Sequence, residues 1–434
     1  MLNILDFGAV GDGEVLNTAA FARAIAAALS DRETVCVPAG TFLTGTINLQ
    51  GVSLYLEAGA VIKGSPDPED YPVQDYVHNE MGPLRALIVN LHHDHVYITG
   101  SGTIDLNGLA FFDTSRKNVP GFKVPPTPGQ ISECTYFIPA GRPNQCIFFH
   151  DCRDVRLEGI TVLNAPCWTI TCSRCKNIHL TGLTIDTDLN TPNDDGIHLS
   201  SCKGAIISNC HISSGDDCIA LSCITDWETP CEDIVISNCV MRSCSKALVI
   251  GYMFSVVRNV TVTNCIIKES NRGFCIMCHD ETALVENVRV SNCIFDTQVR
   301  AGNWWGNGEP IFLMAVPQMT DKTAPQIPAR RVDCAIRNVH LSGITCTGEN
   351  AMGIVGVNGN IREITLSHID YTRKPARNLP LKGNIFDLSP STLLCEAPEN
   401  CGLRITGAEN VKLDHVNTRD WRIIQENAGI ITES

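Results

Sequence analysis

The chain carries one alternation of apolar and polar positions over and over. The unit reads apolar-x-apolar-x-(Gly/Asn)-(apolar/Cys)-x-apolar. It occurs as Val155, Leu157, Gly159, Ile160, Val162 and returns as Ile178, Leu180, Gly182, Leu183, Ile185. Further copies begin at Ala205, Ile234, Val260, Val288, Val339, Ile364 and Val411. Period two inside each copy predicts strands with one buried face, not helices. Steps of 23, 27, 29, 26 and 28 residues separate the copies from Val155 to Val288, and a fixed period of about 20 to 50 residues marks a repeat architecture. Coils of roughly 25 residues with short strands predict an all-β fold, a single-stranded right-handed parallel β-helix of about ten coils. A propeller blade needs four antiparallel strands in about 40 residues, which these steps cannot hold. The later steps of 51 and 47 residues predict one degenerate copy hidden in each.

Column positions support stacking. Asn209, Asn238, Asn264 and Asn292 share one repeat position, and Cys210, Cys239, Cys265 and Cys293 share the next. The first set predicts an amide ladder at a turn, the second an inward column. The stretch Thr18 to Leu29 is helical by propensity and is expected to cap the open edge of the first coil. Val35 to Val61 reads as strands punctuated by Gly40, Gly45, Gly51 and Gly59. Residues 108–145 and 298–333 break the period, so the expected organisation is one β-helix domain over 1–434 with two loop insertions, and long interruptions on a rigid scaffold tend to carry function.

Composition narrows the function. The chain is 44% hydrophobic and 18% charged, with 33 Lys+Arg against 47 Asp+Glu and a formal net charge of −14. An acidic balance argues against nucleic acid as a partner, which needs a basic footprint. No apolar run approaches the roughly 18 to 20 residues of a membrane helix. The opening residues lack the basic and apolar regions of a secretory signal, so the expected location is cytoplasmic. The 22 cysteines then read as reduced thiols serving as small hydrophobes.

The chemistry concentrates in Asn193-Asp194-Asp195-Gly196-Ile197 and Gly215-Asp216-Asp217-Cys218-Ile219. Asp195 precedes Asp217 by 22 residues, close to one coil, so neighbouring rungs should bring these carboxylates together. Crowded carboxylates repel, and at least one pKa should rise. One protonated acid beside ionised partners suits glycoside hydrolysis; a calcium site or a turn ladder is the alternative, because Asp-Asp-Gly also suits turns.

These motifs resemble the polygalacturonase family, glycoside hydrolase family 28. The resemblance rests on Asp6-Phe7-Gly8-Ala9-Val10-Gly11-Asp12-Gly13, Val37-Pro38-Ala39-Gly40-Thr41-Phe42, Leu54-Tyr55-Leu56-Glu57-Ala58-Gly59-Ala60, Asn193-Asp194-Asp195-Gly196 and Gly215-Asp216-Asp217-Cys218-Ile219-Ala220. It implies that Asp216 is the general acid and that Asp195 and Asp217 hold and deprotonate the attacking water. That arrangement inverts the anomeric centre and needs no metal or organic cofactor.

The chain departs from the family downstream. The stretch Ser245-Lys246-Ala247-Leu248-Val249-Ile250-Gly251 matches Gly-His-Gly-Leu-Ser-Ile-Gly, so Lys246 stands where the family has its histidine. The family's Arg-Ile-Lys is replaced by Cys275-Ile276-Met277, which removes two cations that would hold a galacturonate carboxylate. Lys246 could bind an anionic sugar or tune Asp216, and Arg272, His279 and Asp280 could supply lost contacts. Asn193 joins the binding set through its motif. Trp304 and Trp305 sit in a Gly-rich loop and suit stacking on a sugar face; the alternative is that one is core and the other incidental. Glu309 could bind a hydroxyl or act as a second acid.

Cys275-Ile276-Met277-Cys278-His279 fits the haem-attachment pattern but lies on a repeat strand. Cys172 and Cys175 stand about four coils, roughly 19 Å, away from Cys275 and Cys278, too far for a shared zinc. The expected activity is therefore inverting hydrolysis of a pectin-type or related oligosaccharide, the two insertions favouring exo action. A lyase or intramolecular glycosyl transferase with Lys246 as base, and a non-catalytic carbohydrate binder, are the rivals.

Overall fold

The computed structural model describes residues 1–31, 33–121, 125–139, 141–279, 282–316, 334–376, 400–426 and 430–433. It is a right-handed parallel β-helix. All nine repeat starts, from Val155 through Val288 to Val411, pair rung on rung in parallel register. The alternate apolar residues point inward and form one core along the axis. A second face, built from 12 strands, exceeds the ten or so coils expected because Ile47–Asn48 and Ile88–Leu91 add rungs before the repeat motif begins.

The two long steps hide no extra coil. Val288 pairs directly with Val339, and Ile364 directly with Val411. A rung must return to its column, but the loop between rungs has no fixed length, so spacing alone cannot tell a missing strand from a long connection. The second insertion is described as far as Val316; 317–333 lie outside the described residues.

The turns explain the asparagines. Asn209, Asn238, Asn264 and Asn292 all have φ between 52° and 57°, a left-handed conformation that asparagine tolerates better than most residues. Asn238 and Asn264 each donate an amide bond to the asparagine one rung below, at 3.2 and 3.3 Å. Cys210, Cys239, Cys265 and Cys293 follow as buried free thiols. At the N-terminus, Thr18–Asp31 is the expected helix. It buries Ala20, Phe21, Ala24, Ile25 and Ala28 against the first strands, each large apolar side chain contributing about 1.5 to 3 kcal/mol.

The first insertion holds the antiparallel pair Asp113–Lys117 and Tyr136–Phe137 and the short helix Pro128–Ser132. Its aromatic rings are used in packing: Phe111 and Phe112 are buried, and Lys117 and Arg116 lie over Tyr136 and Phe137, each at 3.9 Å. The two insertions meet at Glu133, whose carboxylate accepts from Ala301 N at 2.7 Å and whose carbonyl accepts from Trp304 Nε1 at 2.6 Å.

Candidate active site

Three strand starts build the floor of the main cleft. Ile197 pairs with Ile219, and Ile219 with Leu248. Two residues earlier on each strand, Asp195, Asp217 and Lys246 therefore share one column, at rung spacings of roughly 4.8 Å. Asp216 precedes Asp217 in the same turn. Two glycines allow the turns to nest. A Cβ on Gly196 would lie 2.7 Å from Cys218 O, and one on Gly215 would lie 2.7 Å from an Asp194 carboxylate oxygen.

Asp194 supports the turn from beneath. Fully buried, it accepts from Gly215 N at 3.1 Å, from Asp216 N at 2.8 Å and from the Thr187 hydroxyl. Its side chain thus fixes the backbone that presents Asp216. Asp195, Asp216 and Asp217 keep 5%, 8% and 7% of their surface, enough to meet a ligand in the cleft.

The charges lie close enough to act on one another. Burial, then the Asp216 carboxylate, pushes Asp195 well above the usual carboxylate range. Burial also raises Asp217, against the pull of Lys246. Lys246 Nζ lies 3.3 Å from Asp217 Oδ2, and its backbone N–H donates to Asp217 Oδ1 at 3.2 Å. Burial opposes the ammonium, but the Asp217 and Asp216 carboxylates outweigh it and hold Lys246 above the ordinary lysine value. Trp305 faces the same ammonium, 4.7 Å from its ring centre.

Among the wall residues with no counterpart in the sequence reading are Glu80, Trp168, His198 and Tyr252. His198 bridges Asp195 Oδ2 at 3.3 Å and Ser222 Oγ at 2.7 Å and stacks on Trp168 at 4.1 Å. Burial pushes its pKa down to about 3. A neutral ring beside a carboxylate then donates from Nδ1 and accepts from Ser222. Glu80 reaches the rim from the hairpin Val77–His78 and Gly82–Pro83; the surrounding protein, then the Asp216 carboxylate, raises its pKa.

The structure divides the sequence-predicted binding set. Asn193, Lys246 and Trp305 line the cleft with the three aspartates. Asn193 also accepts from Arg142 at 3.0 Å. Trp304 lies in the core at 1% exposure, drawn there by its bond to the first insertion. Glu309 lies off the wall because Arg272 takes it in a two-pronged ion pair, both contacts 3.1 Å, and Asn307 N donates to it at 2.7 Å. Arg272 is itself fully buried and is spent on that pair. His279 is buried edge-on against Tyr252 at 5.5 Å and is not on the wall. Asp280 lies outside the described residues. Cys275 and Met277 are buried in an apolar cluster with Ala220, Val249, Phe312 and Met314.

The cleft is open to solvent on one side, with about 510 Å³ of space between its walls and mouth. Its chemistry is a set of carboxyl groups on adjacent rungs, one paired ammonium and aromatic faces.

Relatives carry the same scaffold. A probable polygalacturonase of Vitis vinifera is 32% identical over 239 residues, covering 52% of this chain and 44% of that protein. An exopolygalacturonase of Zea mays is 24% identical, covering 66% of this chain and 64% of its own length. The chain thus spans about half the length of the relatives it matches. Among solved structures, the family 28 exopolygalacturonase of Yersinia enterocolitica has a TM-score of 0.70 at 20% identity, covering 98% of this chain and 78% of that one. An exopolygalacturonase of Thermotoga maritima has a TM-score of 0.67 at 23% identity, covering 86% and 87%. The family model for glycosyl hydrolases family 28 matches residues 30–372, and the chain belongs to that family.

Proposed function

We propose that the protein hydrolyses a glycosidic bond of a pectin-type or related oligosaccharide with inversion. The observation that carries this reading is the shared column of Asp195 and Asp217, one rung apart, with Asp216 beside them on the cleft floor. In this reading Asp216 protonates the leaving oxygen, and Asp195 and Asp217 orient and deprotonate a water on the opposite face of the sugar. His198 fixes the Asp195 carboxylate, and Asp194 fixes the Asp216 backbone. Lys246 stabilises the ionised form of Asp217, so that a carboxyl group raised by burial still works as a base. The contact between the two insertions at Glu133 favours a closed end to the cleft and exo action.

The lyase alternative needs a neutral lysine. The carboxylates beside Lys246 keep it protonated, which favours hydrolysis. Proton NMR of the first-formed products from an oligosaccharide panel tests the reading. Inverted anomers released one unit at a time are expected, with no turnover by Asp216→Asn. Retained anomers, ultraviolet-absorbing unsaturated ends or undiminished turnover by the variant would overturn it.

A further inference from the structure

Carboxyl groups outnumber cationic groups on the cleft wall. Glu80, Asp195, Asp216 and Asp217 contribute four carboxyl groups. Among the described residues on the wall, Lys246 is the single lysine or arginine. Its ammonium is bound to Asp217 and covered by Trp305. The imidazole of His198 is engaged at both nitrogens. Arg272, one rung beyond Lys246, is neutralised by Glu309.

Beside the polar Asn193, Ser222 and Tyr252, the rest of the wall is apolar. Trp168, Trp305, Ala220, Ile224 and Val249 line the cleft. Behind the wall lies a buried apolar layer, in which Val249 pairs with Cys275, Gly251 with Met277, Cys275 with Phe312 and Met277 with Met314. A sugar carboxylate entering this site would leave water for a wall that offers repelling carboxyl groups and an ammonium already paired. A methyl or hydroxymethyl group in the same place meets apolar atoms and aromatic faces and costs no charge desolvation.

We propose that the glycosyl unit at the cleaved bond is a neutral pyranose, with a methyl or hydroxymethyl group at C5, and that this cleft discriminates against uronic acids. The proposal rests on the hydrolase reading above. It makes Lys246 an internal counter-ion of the acidic cluster and not a carboxylate receptor for the substrate.

Three probes test it: oligogalacturonides, the same oligosaccharides after chemical reduction of every carboxylate to a hydroxymethyl group, and rhamnogalacturonan oligosaccharides with rhamnose at the non-reducing end. Binding is measured calorimetrically on Asp216→Asn and turnover on the unaltered protein. At least one neutral-ended set should bind about tenfold or more tighter than the oligogalacturonides, and kcat/KM should follow the same order. Tightest binding of the unreduced oligogalacturonides, equal binding of all three, or no binding of the neutral-ended sets overturns the proposal. Preferential binding of a neutral-ended set without release of reducing ends would leave the selectivity standing and defeat the hydrolase reading. Preferential cleavage of oligogalacturonides would do the reverse.

Discussion

One column of side chains along the cleft-bearing face has two ends with opposite fates. At the open end stand Asp195, Asp217 and Lys246, on the wall of the cleft. At the sealed end Lys246 is followed by Arg272 and then Glu309. The same parallel pairing runs through both ends. Arg272 and Glu309 keep 0% and 3% of their surface and cancel each other with two 3.1 Å contacts. The open end instead sets several carboxyl groups against one ammonium and leaves them access to a ligand. Stacking supplies proximity to any column. Pairing and access decide whether a charged pair holds the fold or stays ready to move a proton.

The sharpest break of the comparison is Asp216→Asn. Removing the proposed general acid at the open end should lower kcat by about 10²- to 10⁴-fold, with an unchanged circular dichroism spectrum and urea midpoint. The matching change at the sealed end is Arg272→Met. It strands the Glu309 carboxylate and should cost about 3 to 5 kcal/mol in urea unfolding. The double variant Arg272→Met with Glu309→Leu should recover most of that loss, because apolar residues of similar volume replace a buried pair without the stranded charge. If the double variant is no more stable than the single one, the sealed end is held by something besides the pair.

What the sequence could show follows the same division. Repeat positions, the N-terminal helix and the acidic motifs were legible because each depends on local pattern. The repeat steps carried more than the motifs. Trp168 lies 27 residues before Asp195, the same step as Ile178 to Ala205, and Lys246 lies 29 after Asp217, the same step as Ala205 to Ile234. Column arithmetic alone could have placed both. Glu80 gave no such signal, because its hairpin belongs to no repeat. The Arg272–Glu309 pair was hidden because the 37-residue step from one to the other includes an irregular insertion. Trp304 and Trp305 are neighbours in that insertion, and which of them turns inward is set by Glu133, a residue from the other insertion.

Lys246 joins the two ends, and Lys246→Met tests its allegiance. Burial raises Asp217, and Lys246 pulls it back. Without the ammonium the Asp217 pKa rises further, so a larger share of the base is protonated at a given acidic pH. The acid limb of the kcat profile should move to higher pH by about one unit or more, each unit being 1.36 kcal/mol of lost preference for the ionised form. The shift has this sign because deprotonated Asp217 is the working form in the proposed mechanism. An acid limb that stays in place would show that Lys246 is no counter-ion to the base.

The smallest expected effect separates the adjacent tryptophans. Trp305 touches Lys246 through its ring face and is only partly buried, so Trp305→Ala removes one cation–π contact of about 0.5 to 2 kcal/mol and an aromatic surface for the sugar. Its signature should be a several-fold rise in KM and a urea midpoint near that of the unaltered protein. Trp304→Ala, one residue earlier, empties a core site closed by the bond to Glu133 and should destabilise by about 3 to 5 kcal/mol, with KM of the folded fraction unchanged. Equal effects of the two variants on KM and on stability would mean that the loop carries both rings as one unit. In that case the boundary between the open and the sealed end would not run between residues 304 and 305.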